Sequence, residues 1–462
     1  MYKIPQHIDN NEIFIINRSE IEGRLDPSVY KPHFKFVSKA FRNVKLSEIA
    51  WIDPSCIFKN IEEVSFIPMD AIDSSNGVVS YQGIKKVEET KGFTRFKEGD
   101  ILWAKITPCM QNAKSAIAKK LINGYGCGST EFFVIRSKDE NVVLQEYLLF
   151  LLRDERILKA AMNYFGGSAG QQRVSPLFLK TFNVPLPEIE EQKRYCELLK
   201  NAQILKRQKE QQAEDILNSI DDYLLGELGI ELPIIRNTLK DRIFLLNRRE
   251  LEGRFDPTVY KDGIKLISTK WNNVKLPKVA FVNPSGTYKG KSQVTPISFV
   301  PMEVIDERFS EITTMEETTI EQSSGFTKFR EGDLLWAKIT PCMQNGKSAV
   351  AKNLTNGLGC GSTEFFVLRP KDECLSIEYL HVILHMKCVR ETAMLYFGGS
   401  AGQQRVSSSF LENFNLPLPP KEKQVEIANH VYKMRQQAKA LQEEGKAILE
   451  RAKKDIEQMI IG

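Results

Sequence analysis

GFTRFKEGDILWAKITPCMQNAKSA at Gly92–Ala116 returns as GFTKFREGDLLWAKITPCMQNGKSA at Gly325–Ala349, an offset of 233, with only Arg95/Lys328, Lys97/Arg330, Ile101/Leu334 and Ala113/Gly346 differing. The stretches around it return in the same order. GRLDPSVYK at Gly23–Lys31 becomes GRFDPTVYK at Gly253–Lys261, and GCGSTEFFVIR at Gly126–Arg136 recurs with one change at Gly359–Arg369. FGGSAGQQRVS at Phe165–Ser175 recurs unchanged at Phe397–Ser407. The 462-residue chain is therefore two copies of one unit, and the drift in offset places small insertions between Pro284 and Ile297 and near Asp372–Met394. Units this long fall outside the roughly 20–50 residues of solenoid repeats, so they read as globular domains. A duplicated chain imitates a homodimer. It predicts a pseudo-twofold arrangement and suits a twofold or bipartite target, of which duplex DNA is the commonest.

Each copy has one layout. A short apolar run (Ile13–Ile16; Ile243–Leu246) is followed by strand-rich segments punctuated by Gly, Pro, Asn and Asp. Ile101–Ile106 and Glu131–Arg136 read as buried strands, Gln145–Tyr164 and Ser376–Tyr396 as helical stretches, and FGGSAGQQRVS as a loop. Each copy closes with PLP (Pro185–Pro187; Pro417–Pro419) and a long charged helix. The first helix has a stripe at Tyr195, Leu199, Ala202, Lys206, Lys209, Ala213, Ile216 and Ile220. The second has one at Ile427, Val431, Met434, Ala438, Leu441, Gly445, Ile448, Ala452 and Ile456. Alternating spacings of four and three mark a coiled-coil seam, so the two helices, matched in length and position, are expected to pair antiparallel. The expected fold is α+β: two similar mixed α/β domains related by a pseudo-twofold axis and separated by these helices.

Composition is that of an ordinary globular protein, 42% hydrophobic and 27% charged, with a formal charge of only +5. That balance permits a polyanionic partner without requiring one. Residues Met1 to Asn10 are polar, no apolar run approaches the roughly 20 residues of a membrane helix, and the eight cysteines form no C-x-x-C pair. A reduced, cytoplasmic setting without membrane contact is expected. Catalytic sets fail in turn. Asp53-Pro54-Ser55-Cys56 and Asn283-Pro284-Ser285-Gly286 lack the second proline and the aromatic of an adenine-methyltransferase motif. Gly346-Lys347-Ser348 has Pro341 where a phosphate loop needs its first glycine, and Trp103 and Trp336 stand where a nuclease of the acidic-acidic-lysine type would place a carboxylate. His381 and His385 have ligand-like spacing, but the first copy has no such pair. No catalytic residue, metal or cofactor is expected; Cys109/Cys342 and Cys127/Cys360 read as small buried hydrophobes.

In order along the chain, R-[LF]-D-P-x-x-Y, G-D-[IL]-L with K-I-T-P-x-x-x-N-x-K, G-S-x-x-x-Q-x-x-x, and P-L-P with PEIEEQ (Pro187–Gln192) or PPKEKQ (Pro419–Gln424) occur twice. This order resembles the specificity subunits of type I restriction–modification enzymes over nearly the whole chain; Lys423, where the first copy has Glu191, is a small departure. The resemblance implies a DNA-binding subunit without catalysis of its own, directing methylation and cleavage to a bipartite site. Its target-recognition domains would be residues 1–187 and 241–419, with spacer helices at 188–226 and 420–462 and a linker at 227–240. It implies double-stranded DNA, two modification subunits carrying S-adenosylmethionine, and ATP-driven restriction subunits as partners. The specificity subunit of a related type II-like or methylation-only system, a self-contained methyltransferase or nuclease, and a protein-interaction scaffold remain as other readings.

Two segments are candidate DNA contacts. K-I-T-P-x-x-x-N-x-K offers Lys105, Thr107, Gln111, Asn112 and Lys114, mirrored by Lys338, Thr340, Gln344, Asn345 and Lys347: lysines suit phosphates, and Gln or Asn pairs bidentately with adenine. The glycine-rich segment offers Ser168, Gln171, Gln172 and Arg173, mirrored by Ser400, Gln403, Gln404 and Arg405, where glycines permit close backbone approach. Internal hydrogen bonding of a polar turn, or docking of the long helix, would account for the same residues. Base readout is alternatively carried where the copies diverge, in Cys56–Phe66 and Ser74–Lys91 against Gly286–Phe299 and Glu307–Ser324; there stand Asn76, Tyr81, Gln82, Lys85 and Lys86, against Tyr288, Lys289, Lys291 and Gln293. On the helices, Leu199, Ile216, Ile220, Val431, Leu441 and Ile448 are the candidate contacts for the modification subunits.

Overall fold

ILWA at Ile101–Ala104 and LLWA at Leu334–Ala337 are buried at all four positions, which is why they read as continuous apolar runs. In the computed structural model, which describes residues 38–166, 171–232, 260, 266–285, 288–399 and 403–461, these two strands sit centrally in two similar units. The opening apolar runs, the R-[LF]-D-P segments, Ser168 and Ser400 lie outside the described residues. One unit comprises Met1–Arg207 and Gly445–Gly462, the other Gln208–Glu444.

In the first unit one sheet has the order Ala50–Ile52, Phe132–Ser137, Ile101–Ala104, Ser115–Ile117, and a second has Gly83–Lys86, Glu63–Ile67, Tyr125–Gly128, Thr94–Lys97. Alternation along the central strand explains its double burial. Leu102 packs with Ile67, Phe96 and Phe132 between the sheets, while Ile101 and Trp103 face a larger core with the helices. The second unit repeats both orders, as Ala280–Val282, Phe365–Pro370, Leu334–Ala337, Ser348–Val350 and as Glu316–Thr319, Pro296–Val300, Leu358–Gly361, Thr327–Arg330. The repeated motifs have visible structural work. Asp100, fully buried, holds Arg136 bidentately at 2.6 and 2.8 Å, as Asp333 holds Arg369 at 2.7 Å. A Cβ at Gly128 would lie 2.2 Å from the Ile67 carbonyl oxygen, so only glycine lets these parallel strands pack.

Two sequence expectations are corrected. Gln145–Tyr164 is two helices, Gln145–Leu152 and Glu155–Met162, because the Asp154 carboxylate caps the second by accepting the Arg156 N–H at 2.8 Å. Its counterpart likewise divides into Ile377–His385 and Lys387–Met394. The flanks of FGGSAGQQRVS are short strands rather than loop, with Phe165–Gly166 paired to Arg173–Val174 and Phe397–Gly398 paired to Arg405–Val406.

The closing helices run over Ile189–Leu228 and Lys421–Ile461. Within the first unit Tyr195 shares a core with Ile456 and Ile460. Within the second, Ile220, Leu224 and Leu228 share one with Ile427, Ala428 and Val431. The start of each helix thus meets the end of the other, and the pair is antiparallel. Lys423 forms an ion pair with Glu227 of the first helix at 2.7 Å, and Lys209, polar within the seam, forms one with Glu444 at 2.9 Å. Among the described residues no helix is long and apolar enough to cross a membrane.

Candidate nucleic-acid interface

The strand Ile101–Ala104 leaves its sheet at Lys105 and turns through a cis Thr107–Pro108 bond, as its counterpart does at Thr340–Pro341. Residues 106–114 then coil tightly, with Met110 N–H on the Ile106 carbonyl and Lys114 N–H on that of Cys109. The structure brings the two candidate segments together. Thr107 N–H donates to the Gln172 carbonyl at 3.0 Å, Val174 N–H donates to that of Lys105 at 2.9 Å, and Ile106 bridges Arg173. The second unit forms the same joint through Thr340, Gln404, Val406 and Lys338.

The candidate side chains divide sharply. Gln111, Asn112, Gln171, Asn345 and Gln403 are exposed, whereas Gln172, Gln404 and Gln344 are half-buried. Lys105 lies over the Phe133 ring at 5.3 Å and Lys338 over that of Phe366 at 5.7 Å. Lys114 and Lys347 point back into their own units and donate to the Met69 and Met302 carbonyls at 3.1 Å, so their ammonium groups tie the turn down. Arg173 is exposed yet engaged: Nε and Nη2 meet the Glu131 carboxylate at 2.9 and 2.8 Å, and Arg405 meets Glu364 at the same distances. The bidentate hydrogen bonds from these arginines hold both carboxyls below their usual range. Sequence reasoning missed Glu131 and Glu364, although both stand inside the repeated GCGSTEFFVIR stretch.

Beside Lys105 a cleft of about 340 Å³ is lined by Asp53, Cys56, Phe93, Arg95 and Phe132, among others. Asp53, at φ 50°, accepts the Val134 N–H at 2.9 Å; burial raises its carboxyl above the usual range, partly opposed by that hydrogen bond. Asn283, at φ 52°, makes the same bond to Val367 at 3.0 Å, so the D-P/N-P motif clips a strand. Arg95 lies over Phe58 at 4.7 Å, and Lys328 over Tyr288 at 5.1 Å. Of these cations Arg95 and Lys105 line the cleft themselves, which gives it positive charge of the kind phosphates require.

The turn is braced differently in the two units. Arg153 donates to the Ala113 and Ser115 carbonyls at 2.7 and 3.1 Å. In the second unit Arg390 reaches the Gln344 carbonyl of the turn, while His385, in the place of Arg153, donates from Nε2 to the Glu307 carbonyl at 3.3 Å. His381 Nε2 lies 3.0 Å from Ser348 Oγ, and burial, with Arg435 nearby, pushes its pKa down to about 3. The His381/His385 pair is thus packed into the unit. Cys127 and Cys360 are fully buried, Cys109 and Cys342 only partly.

The family described as type I restriction modification DNA specificity domain matches residues 39–215 and again 268–451. The chain belongs to that family. It is similar to the specificity subunits of the type I restriction enzymes EcoEI and EcoAI of Escherichia coli, at 37% identity over 167 and 191 residues, 36% and 40% of this chain. The matched stretches span only 27% and 32% of the length of those two relatives. A chain from a structural study of complex assembly and conformational transition in the type I R-M system is similar in fold. It has a TM-score of 0.56 and 19% identity, over 91% of this specificity-domain chain and 97% of the other.

On the helices the candidate partner contacts fall mainly inward. Ile220 and Val431 belong to the second unit's core, and Leu199, Ile216, Leu441 and Ile448 are half-buried. Leu198, Ile204, Leu205, Val425, Tyr432 and Met459 are exposed apolar residues of these helices, from 38% to 62% accessible. A seam stripe identifies what a helix buries at home; the outward apolar residues break the heptad and went unread.

Proposed function

We propose that this chain is the DNA sequence-specificity subunit of a type I restriction–modification complex, a non-catalytic protein of the cytoplasm that directs a methyltransferase and a restriction translocase to a bipartite site. One observation carries the reading: in each unit the same basic turn and glycine-rich segment are fastened together beside a lysine seated over a phenylalanine ring, in a chain whose family is defined by DNA specificity. Residues 1–187 and 241–419 act as recognition domains, and the helices at 188–226 and 420–462 as the platform joined by the linker 227–240. Lys105, Thr107, Gln111, Asn112, Gln171 and Gln172, with their counterparts, face duplex DNA, while Lys114 and Lys347 support the turn. Two modification subunits dock on the outward apolar residues of the helices.

Co-expression of the chain with the methyltransferase encoded beside it tests this. Methylation confined to one split motif is expected; sequence-independent methylation overturns the reading. Methyl transfer by the purified chain alone would establish an enzyme instead. Loss of salt-dependent DNA binding in the full complex would favour a protein scaffold.

A further inference from the structure

The two units carry opposite charge along one sheet edge. Gly83–Lys86 pairs antiparallel with Glu63–Ile67, Gly83 opposite Phe66 and Lys86 opposite Glu63. In the second unit Glu316–Thr319 occupies this place, Glu316 opposite Phe299 and Thr319 opposite Pro296. Phe66 and Phe299 are equivalent, as their contacts with Phe93 and Phe326 at 5.3 and 5.1 Å show, so GIKK in one unit faces the environment of EETT in the other. Position by position, Gly83 and Ile84 become Glu316 and Glu317 while Lys85 and Lys86 become Thr318 and Thr319, so the strand loses two cations and gains two anions. Burial does not require the exchange: Ile84 is 61% exposed, and Lys86, Glu316 and Glu317 are exposed.

This edge is continuous with the candidate interface. Lys85 Nζ lies 5.0 Å from the centre of the Phe66 ring and 5.3 Å from that of Phe93, and Phe93 lines the cleft that also holds Arg95 and Lys105. The first unit therefore has a strip of cations that ends in Lys85 at the edge, with Lys86 beside it on the other face of the strand. The corresponding strip of the second unit has Lys338 and Lys328 but ends in Thr318 and Glu316, where the first unit has Lys85 and Gly83. Lysine donates to guanine O6 and N7 or to phosphate; glutamate accepts from the cytosine amino group and repels phosphate.

We infer that the edge strands Gly83–Lys86 and Glu316–Thr319 are specificity-determining elements that make the two half-sites differ at the base pairs they face, while the shared turn and glycine-rich segment read what the halves have in common. The inference rests on the DNA-specificity reading above. It is tested by exchanging the strands in the full chain, as G83E/I84E/K85T/K86T and as E316G/E317I/T318K/T319K, each co-expressed with the neighbouring methyltransferase and read out by methylome sequencing. A Cβ at Gly83 would meet only Phe66, at 3.9 Å or more, so the first exchange is sterically allowed. Each exchange should alter one half-site only, at adjacent positions and by on the order of tenfold in preference, leaving the other half and the gap unchanged. Lys85→Glu alone should shift the same positions. Retention of the parental motif by all three variants, or abolition of methylation by all three, overturns the inference. A wild-type complex that methylates without any motif overturns the parent reading instead.

Discussion

His381 stands where the first unit has Leu149, and the exchange has a consequence in acid. Burial holds its folded pKa near 3, against about 6.5 for a free imidazole, so below pH 6.5 the unfolded chain binds a proton that the folded unit refuses. The stabilisation is complete above pH 6.5 and is lost as pH falls towards 3, by about 1.4 kcal/mol per pH unit. His381→Leu should flatten this decline in the second unit, measured as denaturation midpoints between pH 7 and pH 5; an unchanged slope would refute the assignment. Ser348 keeps a partner in that variant, the Gly346 carbonyl at 3.1 Å. Glu131 supports a second residue-scale prediction. Its carboxylate neutralises Arg173 at the proposed DNA face, so Glu131→Gln should tighten non-specific duplex binding and steepen the dependence of log K on log salt by about 1. Equal slopes for both proteins would mean that Arg173 only fastens the glycine-rich segment to the turn. These pairings were not legible in the sequence, because Arg173 and Glu131 are 42 positions apart and the strand pair that carries Arg173 looked like a loop.

At the scale of elements, what the sequence revealed was whatever its periodicity encodes directly. Ile101–Ala104 is buried on both faces and so reads as an unbroken apolar run; the long helices bury one stripe and so read as heptads. The break at Asp154 was hidden because helical spacing continues across it. Gln192 shows a further limit. It is fully buried at the head of the first long helix, accepts the Leu144 N–H at 2.9 Å, and donates to the Val142 and Pro187 carbonyls, both at 2.9 Å. Gln424 does the same for Ser376, Cys374 and Pro419. The final glutamine of the PEIEEQ motif is thus the bolt between helix and domain, a role no spacing announces. Gln192→Ala leaves three backbone groups without their partner and should cost about 1–3 kcal/mol in the first unit, visible as faster amide exchange around Val142–Leu144. The outward faces give the contrasting case. Ile204→Asp with Leu205→Asp should weaken assembly with the modification subunit by at least roughly tenfold at unchanged melting temperature, since hot-spot apolar residues carry interfaces. Val431→Asp should lower the melting temperature by burying a carboxylate in the core. Normal assembly by the 204/205 variant, checked by size-exclusion chromatography, would move the docking face elsewhere.

At the scale of the whole molecule, a chain made of two near-copies has to recognise something whose halves are alike to the extent that the copies are. The turn and glycine-rich segment are the same in both units down to the joint between Thr107 and Gln172 or Thr340 and Gln404, at 3.0 and 2.9 Å. The sheet edges, by contrast, carry two lysines in one unit and two glutamates in the other. A duplicated chain imitates a symmetric dimer, and dimers read inverted half-sites. The motif should therefore consist of two halves in inverted relation that agree at some positions and differ at others, separated by an unread gap. Even the shared residues are not held identically: Gln111 is exposed, whereas Gln344 is half-buried with its amide 3.8 Å from the Met394 sulfur. Gln111→Ala should accordingly relax its half-site by roughly 1–3 kcal/mol at one base pair, and Gln344→Ala by less. Methylome sequencing of cells with and without the chain decides the point. A perfect palindrome would mean that the diverged edges read nothing. Two unrelated halves would mean that the diverged segments read everything and the shared turn only holds the backbone.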